Sequence, residues 1–194
     1  MSIGIVACGA LATHIAELAA QNALDITIYP LPPLLHNRPE KIAQEVDELL
    51  LQIKDSHSQC AVAYADCGTY GALDTVIKGH NVKRLGGNHC YDVFAGRAEI
   101  EKIMAENAGT YFLTDFLVKS FHRSVIVELG LDRYPHLRDD YFKNYSRLMW
   151  LAQSPTAELT LAALSAAQEI GLPLETTLVG YQGLREQLEV LISH

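Results

Sequence analysis

The chain has 194 residues, with 15 Lys+Arg against 23 Asp+Glu for a formal charge of -8, and its length suits a single α/β domain over 1–194. That acidic balance argues against nucleic acid and against an anionic membrane surface as partners, because both select basic faces. No apolar run approaches the ~20 residues of a membrane span, and the N-terminus lacks the basic start of an export signal, so a cytoplasmic protein with reduced thiols is expected.

Residues 3–7 form an apolar, β-branched run that predicts a first strand, followed by Cys8-Gly9 and a helical spacing of Leu11, Ile15, Leu18 and Ala19. Residues 25–29 predict a second strand, ended by Pro30, Pro32 and Pro33. Pro39 opens a helix whose apolar face is Ile42, Val46, Leu49, Leu50 and Ile53. A third strand is expected over 60–65, a helix over 71–78, a fourth strand over 82–85 and a helix over 92–106. Beyond it the rhythm breaks. Phe112, Phe116, Leu117, Phe121 and Val125 predict a long helix, and 135–145 another, giving a helical insertion around 110–145. A buried strand over 147–152, an Ala/Leu helix over 156–170, a last strand over 175–179 and a helix over 182–192 complete the chain.

Strands alternating with helices predict a mostly parallel sheet covered by helices on both faces. Functional loops then gather beyond the C-terminal strand ends. Cys8 follows the first predicted strand, Cys67 the third and Cys90 the fourth, so three of the four cysteines fall on one rim. Cys60 opens a strand and reads as a packing residue.

With His89, the thiols of Cys8, Cys67 and Cys90 would make a three-sulfur, one-nitrogen site suited to zinc or iron, or to an iron–sulfur cluster. Gly86-Gly87-Asn88 permits the turn that adjacent ligands need. Metal-free chemistry is the alternative. Cys67, before a helix, would feel its N-terminus, and Cys67 facing Cys90 would resemble the thiol pair of cofactor-independent racemases, with Asp66 beside them. His36 is a candidate proton carrier or ligand, Arg38 an anchor for an anionic group and Thr69 a substrate contact. No phosphate-binding loop or dinucleotide fingerprint is present, so no nucleotide is expected. Tyr141, Tyr145 and Trp150 read as core aromatics or as an interface, which would fit a homo-oligomer.

Six short motifs recur together in order: Ala7-Cys8-Gly9-Ala10-Leu11, Leu35-His36-Asn37-Arg38-Pro39, Asp66-Cys67-Gly68-Thr69, His89-Cys90-Tyr91, Phe112-Leu113-Thr114-Asp115-Phe116-Leu117 and Leu129-Gly130-Leu131-Asp132-Arg133. The chain thereby resembles, from Ile5 to about Tyr181, a prokaryotic family known as a domain of unknown function. Genes of that family often neighbour those of corrinoid-dependent methyltransferases acting on methylated amines. The resemblance implies a link to corrinoid or one-carbon metabolism, with a small-molecule ligand or a corrinoid-system protein as partner. An accessory role, delivering a metal, cluster or corrinoid, fits the same link. The family supplies no catalytic residues.

Overall fold

β-Branched and small residues make Ile3–Cys8 a strand (β1) that is buried from Gly4 to Cys8. In the computed structural model, which describes residues 2–193, β1 runs straight into helix α1 (Gly9–Gln21), which buries the apolar face foreseen at Leu11, Ile15, Leu18 and Ala19. The chain continues through β2 (Ile26–Leu31), two 3-10 turns (Pro33–Asn37 and Pro39–Lys41) and α2 (Ile42–Ile53). Next come β3 (Gln59–Ala63), α3 (Ala72–His80), the short β4 (Lys83–Arg84) and α4 (Cys90–Ala95). The helix expected over 92–106 is broken: Gly96, at φ +82°, separates α4 from α5 (Arg97–Glu106).

The segment around 110–145 differs most from expectation. Residues 110–114 are not the start of a helix but strand β5 (Thr110–Thr114), paired in parallel with the later β6 (Arg147–Ala152). Phe112 and Leu113 are two apolar neighbours of a sheet, and periodicity alone could not separate that from a helix. The Thr114 hydroxyl then caps a true helix, α6 (Asp115–Lys119), by accepting from Leu117 N. A π-helical stretch (His122–Val127), a 3-10 turn (Pro135–Leu137) and α7 (Arg138–Phe142) make the remainder helical, as foreseen. The chain closes with α8 (Ala157–Ile170), β7 (Leu174–Leu178) and α9 (Gln182–Ile192).

All strand pairs are parallel, but they form two sheets, ordered β2-β1-β3-β4 and β5-β6-β7. The described chain comprises two compact units: 1–93 with 181–194, and 94–180. The first unit buries Ile5, Val6, Val62, Leu11, Ile42, Leu73 and Leu184. The chain runs from β1 outward to β2 and then back past β1 to β3, and the right-handed rule for such parallel crossovers puts α1 and α2 on opposite faces. The second unit packs Leu113, Leu148, Trp150, Ala163 and Ile170 around its own sheet. Trp150 is therefore a core residue, whereas Tyr141 and Tyr145 keep exposed surface. No helix among the described residues is long and apolar enough to cross a membrane.

Candidate functional site

The strand order of the first unit reverses between β1 and β3, and a crevice opens at the carboxyl ends of strands on either side of such a reversal. Cys8 is the last residue of β1, and Tyr64 and Cys67 follow β3. The loop 66–71 is unusual. Cys67 and Tyr70 adopt φ of +50° and +51° without being glycine, and Gly68 and Gly71 are also left-handed. Each such non-glycine residue costs roughly 1–3 kcal/mol and persists only where its surroundings enforce it.

The enforcing group is Asp66. Its carboxylate accepts from Thr69 Oγ1 (2.6 Å), Tyr70 N (3.1 Å) and Gly71 N (3.2 Å). Burial works to raise its pKa, but these bonds and the Arg84 guanidinium outweigh burial and leave it below the usual carboxylate value. A second carboxylate does the same in the next loop: Asp92, 4% exposed, accepts from Asn88 N (2.6 Å) and His89 N (3.3 Å). The two loops are joined by Asp66 N donating to Gly87 O (3.1 Å) and Cys67 N to Asn88 O (2.7 Å). Cys67 and Cys90 are thus fixed relative to each other by backbone.

His36 closes the group from the 3-10 turn after β2. Its ring nitrogens lie 3.7 and 3.8 Å from Cys8 Sγ, and its face stacks on Tyr64 at 5.4 Å between centroids. Burial disfavours its charged form, yet hydrogen bonding to Cys67, the negative charge there and the Pro33 carbonyl carry the imidazole pKa above its ordinary value. Burial holds Cys8 as a thiol, its pKa pushed up to about 11. Burial, then the charges of Cys67 and Cys8, push Cys90 well up too. Of the three rim sulfurs, Cys67 is the one whose charge acts on the His36 ring. Tyr64 is 0% exposed, and burial followed by the charges of Cys8 and Cys67 keeps its hydroxyl protonated. That hydroxyl interacts with the Cys8 thiol but makes no hydrogen bond of good geometry.

The family described as Protein of unknown function (DUF1638) matches residues 30–188. The chain belongs to this family. No curated protein and no solved structure matches it.

Within this family member, the candidate residues separate into three groups. Cys8, Cys67, Cys90 and His36 converge. Asp66 and Thr69 lie beside them but are committed to the loop, since Thr69 Oγ1 donates to Asp66 and also receives Leu73 N at 3.4 Å. His89 and Arg38 are exposed, and the His89 ring stacks on Tyr91 rather than on a sulfur. The nitrogen set among the thiols is therefore that of His36. Among the described residues no group of three or more His, Cys, Asp or Glu is arranged to hold a metal ion. Cys60 lies apart, at the opposite end of β3. Tyr64 escaped the sequence reading. Its one signal was a bulky hydroxyl-bearing ring between Ala63 and Ala65, just before the rim.

Proposed function

We propose that the rim of the first unit is a thiol–imidazole acid–base centre that moves a proton on a small-molecule ligand, in the manner of a racemase or isomerase. The observation that carries this reading is the shared imidazole. His36 sits against Cys8 at 3.7 Å, and the Cys67 charge favours its protonated form. In the forward step the Cys67 thiolate takes a proton from carbon, becoming a thiol and leaving a carbanion. The His36 imidazolium then gives its ring proton to that carbanion. Proton transfer from the Cys67 thiol to neutral His36 restores the ion pair, so charge and protons balance over the cycle. Cys8, held as a thiol, orients the imidazole.

Alkylation by iodoacetamide, mapped by mass spectrometry, tests the pairing. Cys67 should react first, and His36→Gln should slow it about tenfold near neutral pH, the effect of one pKa unit on the thiolate fraction. Prior reaction of Cys8 or Cys90, or no effect of His36→Gln, would refute it.

A second reading keeps the metal. Three sulfurs that feel one another's charge, with an imidazole 3.7 Å from Cys8, are the donor types zinc or iron takes, but they are not arranged around an ion and would have to close on it. Under it the chain would serve as a metal, cluster or corrinoid accessory. After anaerobic purification, metal should then be bound and lost in Cys8→Ser, Cys67→Ser and Cys90→Ser alike, but kept in Cys60→Ser.

A further inference from the structure

The Tyr64 hydroxyl is a strong donor sealed from solvent with only the weakly accepting Cys8 thiol beside it, and a buried donor left without a good acceptor costs roughly 1–3 kcal/mol. It stands at the switch point, stacked on the face of His36 and within the electrostatic reach of Cys8, Cys67 and Cys90. Phe at this position would pack the same ring without that cost. Within the fold the hydroxyl leans on the Cys8 thiol, a weak acceptor, and makes no bond of good geometry, so its donor is available to a better acceptor.

We infer that Tyr64 is a ligand-binding residue whose O–H donates to an oxygen of the ligand, so that the carbon acid handled beside Cys67 is a carbonyl or carboxyl compound. This rests on the thiol–imidazole reading for its chemistry. Removing a proton next to a carbonyl drives negative charge onto that oxygen, and a buried, pre-placed donor stabilises the charge where it develops. A ligand without an oxygen acceptor would leave Tyr64 unpaired and be rejected, as sites built around a polar contact reject analogues that lack it.

Two alkylating probes separate this role from mere packing. Iodoacetamide carries a carbonyl oxygen and iodomethane carries none. Tyr64→Phe should slow iodoacetamide at Cys67 about fivefold, the size of one neutral hydrogen bond, and leave iodomethane unchanged. Equal changes with both reagents, or none with either, would overturn the assignment. The unsubstituted protein supplies a second measurement that no folding defect can blur. After Cys67 is carbamidomethylated, the tethered carbonyl should move the ¹³Cζ resonance of Tyr64 away from its position in the Cys67-methylated protein. Coincident resonances would again overturn it. His36→Gln has separate consequences: if it changes neither alkylation rate while Tyr64 still discriminates the probes, the acid–base reading fails and the ligand contact stands.

Discussion

Single residues decide whether the rim can hold charge. Cys8 is fully buried, and its pKa is pushed from 9.0 to about 11. A raised value in the folded state contributes stability that is complete below the unfolded pKa and is lost as pH rises through the folded one. Urea unfolding should therefore show stability falling between about pH 9 and about pH 11, by about 2–3 kcal/mol from this thiol, and Cys8→Ala should flatten that fall. Asp66 has the opposite sign. Its lowered pKa contributes stability above the ordinary carboxylate value that disappears as pH drops through the folded value. Asp66→Asn should cost about 1–3 kcal/mol at neutral pH, and the gap to the parent protein should close in acid. Three rim cysteines were legible from their places after strands. The exchange of His89 for His36 was not, because it depends on a ring stacking on Tyr64, a contact 28 positions along the chain.

At the scale of elements, the rim depends on how closely β1 and β2 end together. A Cβ on Gly9 would strike the Leu31 carbonyl oxygen and sit 2.8 Å from the Pro33 ring, both backbone-fixed. Gly9→Ala should then cost about 1–3 kcal/mol and displace the His36 turn, which loss of iodoacetamide selectivity for Cys67 would report. In the second unit Asp115, 2% exposed, accepts from Trp150 Nε1 (2.8 Å), Gln153 N (3.1 Å) and Ser154 N (2.8 Å). Trp150→Phe removes one donor from a buried carboxylate and should cost about 1.5–3 kcal/mol in urea unfolding. Most strands and helices could be read from periodicity and from Pro and Gly. The strand at Thr110–Thr114 could not, because what makes it a strand is β6, which lies more than thirty positions later.

Across the whole molecule, two sheets replace the single one that alternation suggested. Nothing in a βαβ pattern marks where one parallel sheet stops and another begins, since each strand is locally alike. The first unit is completed by α9, whose Leu184 and Leu188 are buried although the second unit intervenes in sequence. Each unit having its own core, Leu148→Ala should destabilise by about 2–5 kcal/mol and speed amide exchange within residues 110–178 more than in β1 and β3. Uniform acceleration throughout would show that the units open as one.

The central claim is that the His36 imidazole is coupled to the Cys67 sulfur while Cys8 stays a thiol, and cysteine ¹³Cβ NMR titration reads it most directly. The account predicts that the Cys67 resonance responds to His36→Gln and that Cys8 titrates only near pH 11. A Cys67 resonance indifferent to His36, or Cys8 titrating at the ordinary thiol value, would contradict it.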